Sequence, residues 1–289
     1  MFYENLAKTI NLPNDFLDEL LSMRERLGDL TDLQEKLFSQ NYSICELQKE
    51  LEDQAKQADI HPYTYFFYFL FIATKRLHGL YKACGIEESI FFNSMKDLSY
   101  KLKECQAIYQ IAGTSIFDWF PGFYRLQRFG LGRLQYDITT YDYQPYEKFN
   151  LSIQKGDVAY GLHIPSSGPL TREDCYDSYR QACKFFKTDQ LIVVCHSWLF
   201  NPHHHDFLPL TSNILTFIND FDLVAYHQQD HFDDAWRIFG NVSFESIEDW
   251  PEKTALQHAY KKHILKGGSV GEGQAVLVFD GKEIINKKK

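Results

Sequence analysis

The sequence predicts an α+β protein, with an all-α N-terminal part followed by a mixed α/β C-terminal part, and three observations carry that reading. Residues 1–112 keep a helical spacing of apolar side chains with no strand-period segment, and the pattern changes at Ala112-Gly113-Thr114. Residues 157–198 then read as strand, small-residue turn, amphipathic helix and strand. The expected division is an all-helical domain over 1–113 and a second domain over 114–289.

The helices carry their own start and stop signals. Pro13 and Asn14 open a helix from Asp15 to Leu27, with Phe16, Leu17, Leu20, Leu21 and Leu27 as its apolar stripe and Gly28 as its stop. Ser43 and Glu46 have capping-box spacing before Leu47 to Ala58. Pro62 starts an aromatic helix to about Tyr81, and Gly85 separates it from Glu87 to Ile111. The aromatic run Tyr63 to Ala73 ends at Thr74-Lys75-Arg76, short of the ~20 residues a membrane helix needs, so it reads as a buried helix.

From Phe117 onward, β-branched and aromatic residues punctuated by glycine predict strands joined by tight turns. Asp157 to Ile164 alternates as a strand and breaks at Pro165-Ser166-Ser167-Gly168-Pro169. Thr171 and Asp174 then cap an amphipathic helix that leads to the strand Leu191 to Trp198. A helix from Leu210 to Asp220, a strand from Leu223 to Gln228, a helix from Thr254 to Leu265, a glycine-rich loop from Gly267 to Gly273 and a final strand from Gln274 complete the pattern. Lys287 to Lys289 reads as a frayed tail.

Composition narrows the function classes. Thirty basic against 39 acidic residues give a formal charge of −9, which disfavours a broad nucleic-acid footprint. The first residues lack the basic start and apolar run of a signal peptide, and the six cysteines form no CxxC pair. The expectation is a cytoplasmic protein with reduced thiols that engages neither nucleic acid nor membrane. The sequence leaves its oligomeric state open.

A helix N-terminus after a small-residue turn presents unpaired N–H groups and attracts phosphate, which makes Ser166 to Thr171 a candidate cofactor site. His163, two residues before that turn, is placed to act as a general base near neutral pH, with a structural histidine as the alternative. Arg125, Arg128, Arg133 and Gln135 surround a predicted hairpin and would grip an anionic or amide-bearing ligand, unless they form an ordinary solvated face. Trp236-Arg237-Ile238-Phe239-Gly240 and the Gly267 to Gly273 loop are candidate pocket walls. Five histidines and four aspartates in the segments Asn201–Phe207 and His227–Asp234 lack the spacing of a metal site, and no metal is expected. Cys195 and His196 are neighbours on a strand and so face opposite sides, which argues against a nucleophile–base dyad.

The stretches FDWFPGFYRL from Phe117, LHIPSSGPLT from Leu162, CHSWL from Cys195, WRIFG from Trp236 and LQHA from Leu256 resemble bacterial acyltransferase domain-containing proteins. Those proteins join a helical N-acyltransferase N-terminal domain to a GNAT-like C-terminal domain, and the resemblance covers nearly the whole chain. It implies an acyl-CoA-dependent N-acyltransferase that transfers its acyl group directly to an amine of a small molecule or peptide. It further implies that Asp157 to Ile164 receives the pantetheine arm and that Leu191 to Ser197 is the splayed partner strand. The backbone of Ser166, Ser167, Gly168, Leu170 and Thr171 would take the pyrophosphate. On this reading His163, Cys195 and Ser197 are the candidate catalytic residues, with Cys195, Ser197 and Trp198 lining the acyl or thiol channel. Arg125, Arg133, Gln135, Trp198, Trp236 and Arg237 are the candidate substrate contacts. The alternative is a GNAT-shaped module that binds a ligand or a protein without chemistry.

Overall fold

The computed structural model describes residues 1–287 and divides into two compact units, 1–130 and 131–289. The first unit contains α1 (Phe2–Thr9), α2 (Asn14–Arg26), α3 (Thr31–Phe38), α4 (Ile44–Gln57), α5 (Pro62–Ala83), α6 (Glu88–Tyr109) and α7 (Pro121–Tyr124). The strand β1 (Arg128–Leu131) straddles the division. Helices α1 and α3 have eight residues each, too few for a periodic stripe to declare itself. Phe117 to Tyr124, expected to be strand, forms turns and the short α7, because Pro121 is pre-set for a first helical position and cannot donate to a sheet ladder. The aromatic run lies in α5 with Tyr65 to Phe71 all buried, and among the described residues no helix is long and apolar enough to cross a membrane.

The second unit contains β2 (Leu134–Thr140), β3 (Tyr146–Lys148), β4 (Leu151–Ile153), β5 (Val158–His163), α8 (Arg172–Phe186), β6 (Leu191–Ser197), α9 (His204–Phe207), α10 (Asn213–Ile218), β7 (Asp222–Gln229), α11 (Ala235–Phe239), α12 (Ala255–Leu265) and β8 (Val270–Phe279). Its six-stranded sheet runs β1-β2-β5-β6-β8-β7, and β3 pairs with β4 in a separate hairpin that the sequence pattern did not reveal. Pairing is antiparallel for β2 with β5, β6 with β8 and β7 with β8, whereas β5 runs parallel to β6 across the α8 crossover.

Strand alternation gives the sheet two unlike faces. Tyr160 stacks on Phe186 of α8 at 4.2 Å between ring centroids, and Phe279 meets Tyr179 at 5.6 Å, so α8 covers one face. On the other face Ala159, Val194, Val276 and Val278 pack under Tyr141, Tyr146, Leu151 and Ile153 of the β3–β4 region. Asp222 anchors that cover by accepting from Tyr146 Oη, Lys148 Nζ and Asn286 Nδ2. Burial pushes the Asp222 carboxyl up, but hydrogen bonds from Lys148, Tyr146 and Lys287 outweigh it and hold the group below its usual range. Lys287 is therefore tied to Asp222 and Phe221 O rather than frayed, and Lys288 and Lys289 lie outside the described residues.

The expected loop from Gly267 to Gly273 is shorter than predicted, because β8 begins at Val270 and takes Gly271 and Gly273 into the strand. Glycine at 273 serves close approach rather than a turn: a Cβ there would lie 2.5 Å from both Cβ and the carbonyl oxygen of Phe200. Gly273→Ala is expected to destabilise the protein by about 1–3 kcal/mol, because backbone cannot give way as a flexible side chain would. A lowered urea midpoint at unchanged slope would show this, and wild-type stability would contradict the contact.

Candidate functional site

The site begins where β5 and β6 stop pairing. Their parallel ladder comprises Tyr160–Val193 and Gly161–Val194, although both strands continue to His163 and Ser197. Carried two residues further, that register sets His163 level with His196 across the opening. Both face away from α8, along the face that further back is closed by the β3–β4 cover.

Each imidazole is held by a carboxylate on a neighbouring strand. His163 Nε2 lies 2.8 Å from Asp137 Oδ2, whose β2 position follows from the Asp137–Gly161 and Gln135–His163 register. His196 Nε2 lies 2.9 Å from Glu272 Oε2 of β8, with His196 51% and Glu272 26% exposed. A carboxylate that takes the Nε2 proton leaves Nδ1 as the basic nitrogen. Sequence reasoning found His163 but passed over the His196–Glu272 pair, because the partners stand far apart in the chain. The available signal was a polar position, His196, directly after the apolar run Leu191 to Cys195, matched by Glu272 and Gln274 at strand spacing in β8.

Beside the opening, the Pro165 to Thr171 turn leads into α8. Gly168 adopts φ +106°, a conformation side chains rarely tolerate, and Ser167 N–H donates to Pro165 O at 2.8 Å. Thr171 caps the helix by accepting from Asp174 N–H at 3.2 Å, and its carbonyl accepts from Cys175 N–H. The N–H groups of Arg172 and Glu173 have no intrahelical carbonyl and point at solvent or an anion. Pro169 contributes no N–H, and Glu173 and Asp174 place two carboxylates in the first turn. Arg172 sits 3.4 Å from Asp220.

A family model described as a GNAT-like C-terminal domain matches residues 128–277, and one described as an N-acyltransferase N-terminal domain matches residues 1–126. The chain belongs to the GNAT-like C-terminal domain family. No curated protein matches it. Among solved structures it is similar to an acyltransferase in complex with decanoyl-CoA and teicoplanin, with a TM-score of 0.72 and 15% identity over 94% of this chain and 86% of that one. An acyltransferase in complex with decanoyl-CoA aligns with a TM-score of 0.62 and 20% identity, covering 96% and 99% of the two chains. A third, in complex with CoA and 10C-teicoplanin, gives 0.64 and 16% over 94% and 98%. At these identities the likeness is one of fold.

Within this GNAT-like domain the other expected site residues are dispersed. Cys195 is buried on the α8 face with its Sγ 3.3 Å from Leu162 O, and burial pushes its thiol up to about 12, so it is neutral at pH 7 and faces away from both imidazoles. Ser197 Oγ accepts from Leu199 N–H and caps the 3₁₀ turn Trp198–Phe200. Gln135 is the exception: it is buried on β2 directly opposite His163, on the same face as Asp137. Arg125 belongs to the first unit, where its guanidinium donates to Leu37 O and Tyr42 O, a structural role. Arg237 lies over the Trp236 ring at 4.2 Å and donates to Asp234, so these two engage each other rather than the imidazoles. Gly267 to Val270 line a cavity of about 300 Å³ with Gln229, His231, Phe232 and Phe244, and Trp236 to Gly240 do not take part. Among the described residues no group of three or more His, Cys, Asp or Glu side chains gathers as a metal site would.

His204 closes the end of β6. It is wholly buried with Trp198, Phe207, Phe232 and Tyr260 around it, its Nδ1 2.8 Å from Leu199 O and its Nε2 bonded to Tyr260 Oη. The carbonyl can only accept, so Nδ1 carries the proton and Nε2 accepts from the phenol. Burial lowers the imidazole to about 4. The unfolded chain therefore binds more protons than the native one between about pH 6.5 and 4, and stability falls as pH drops through that window by on the order of 3 kcal/mol. Urea titrations across this range should show the decline, with a shallower slope in His204→Gln; equal slopes would contradict the assignment.

Proposed function

We propose that the chain is an acyl-CoA-dependent N-acyltransferase that passes an acyl group directly from coenzyme A to an amine acceptor. The observation that carries this reading is the placement of two imidazole–carboxylate pairs, Asp137–His163 and Glu272–His196, on one sheet face at the strand ends where pairing has stopped. Membership of the GNAT-like family supports the donor class, as do the acyl-CoA complexes of the similar structures. The teicoplanin complexes support a small-molecule or peptide acceptor.

The donor would lay its pantetheine arm between β5 and β6 and its pyrophosphate on the backbone of Ser166, Gly168, Leu170 and Thr171 and the first N–H groups of α8. Ser167 drops out as a donor, because its N–H is bound to Pro165 O. The acceptor nitrogen attacks the thioester carbon, a strand N–H steadies the oxyanion, the C–S bond breaks, and the thiolate leaves and takes up a proton. The proton lost by the amine goes to His196 Nδ1, which is half-exposed and oriented through Nε2 by Glu272. His163 stands at the same level on the adjoining strand and orients the acceptor. Cys195, Ser197 and Trp198 shape the wall behind the thioester without taking part in bond making.

His196→Ala is expected to lower kcat for amine-dependent thiol release by about 100-fold or more, with KM for acyl-CoA within about twofold, and His163→Ala to lose less. The reverse order would assign the base to His163, and equal turnover in both variants would remove the imidazoles from the mechanism. The missing N–H of Pro169 and the two carboxylates of the first α8 turn favour the second reading, a binding module without chemistry. Thiol release that depends on an added amine excludes it.

A further inference from the structure

We propose that Arg133 is the positioning residue of the diphosphate turn: its guanidinium, reaching across from the β1–β2 hairpin, sets the backbone of Pro165 to Pro169 so that the turn accepts the diphosphate of a nucleotide-bearing donor. The inference rests on the acyl-CoA reading above. It replaces the expectation that Arg133 touches the acceptor.

Three carbonyls of the turn meet one side chain. Arg133 Nη1 donates to Pro165 O at 3.0 Å, Nη2 to Gly168 O at 2.6 Å and Nε to Pro169 O at 3.2 Å. In a planar trans peptide the C=O of one residue and the N–H of the next point in opposite directions. Fixing the carbonyls of Pro165 and Pro169 toward the guanidinium therefore turns the N–H groups of Ser166 and Leu170 away from it, toward the side from which an anion would approach. Within the turn Ser167 N–H also donates to Pro165 O, and Gly168 is exposed with a positive φ.

Arg133 is itself held in place. Gly132 supplies the positive φ of the hairpin tip at +70°, and a Cβ there would lie 3.3 Å from Ser178 Cα of α8, so the tip rests directly on the helix. Ser178 Oγ donates to Leu131 O and accepts from Leu134 N–H at 3.3 Å and from Tyr136 Oη at 3.1 Å. The hairpin is thus pinned to the second turn of α8 through Ser178 and to the loop before α8 through Arg133. A planar guanidinium donates to the three carbonyls from three separate nitrogens at fixed spacing, whereas an ammonium would have to gather all three around one atom. The guanidinium also keeps its charge while its donors are engaged, which offsets part of the repulsion that Glu173 and Asp174 exert on an incoming anion.

The test compares decanoyl-CoA with decanoyl-pantetheine, which lacks the diphosphate, by calorimetric titration of the wild-type protein, Arg133→Ala and Arg133→Lys. Wild type is expected to bind decanoyl-CoA more tightly than decanoyl-pantetheine. Both variants should lose about tenfold or more for decanoyl-CoA and remain within twofold for decanoyl-pantetheine, which a general loss of structure could not produce. Retained decanoyl-CoA affinity in Arg133→Ala overturns the proposal, as does an equal loss for both ligands or full rescue by Arg133→Lys, which would make charge rather than geometry the cause. A wild-type protein that binds neither ligand would instead overturn the acyl-CoA reading on which the proposal stands.

Discussion

The second unit depends on one short contact, the two-pair parallel ladder that joins β5 to β6. A parallel pair needs a crossover, and α8 supplies it, which brings the helix N-terminus and the turn before it beside the end of β5. Every other pairing in the sheet for which a register is defined is antiparallel and longer, so the sheet is stiff on both sides of its weakest seam. The seam opens toward the strand ends because nothing continues the ladder beyond Gly161 and Val194. The ladder thus stops with strand backbone on both sides, in the middle of the sheet rather than at its edge.

The two faces then divide the labour. On the α8 side, Cys175, Tyr179, Cys195 and Phe279 pack as apolar filler, and the thiols of Cys175 and Cys195 are each pushed up to about 12 by burial. On the other side the β3–β4 hairpin buries half of the face and stops short of the half that carries the imidazoles. Asp222 and the buried Asn286 lock that cover to β7 and to the C-terminal segment, since Asn286 donates to Tyr146 Oη and Val276 O and accepts from Val278 N–H. The half that carries the imidazoles lies outside that cover, and its side chains are partly exposed, from 25% at Asp137 to 51% at His196.

Much of this was legible in the sequence, and the failures have physical causes. The caps at Ser43 and Thr171 lie where their spacing places them, since a side chain that meets an N–H three residues on is a local event. The strand–turn–helix–strand core was readable for the same reason, as its alternation, prolines and helical stripe are contiguous. Long-range pairs were not readable: Glu272 is selected for His196 by strand register, and Arg133 for the turn by the packing of a hairpin on α8. Each of those depends on which strands become neighbours, which no local pattern encodes. Arg125 and Arg133 look alike in sequence, yet Arg125 fastens backbone within the helical unit and Arg133 fastens the turn. Residue type announced carbonyl or anion binding in both, and only the fold decided whose.

The central claim is that an acyl-CoA donor occupies the opening between β5 and β6. Amide hydrogen exchange followed by mass spectrometry, with and without decanoyl-CoA, tests it most directly because it reads backbone protection segment by segment. The account predicts slowed exchange over residues 158–172 and 191–197, with the β3–β4 hairpin and helices α1 to α6 unchanged. Unaltered exchange in those two segments at saturating ligand, or protection confined to other parts of the chain, would contradict it.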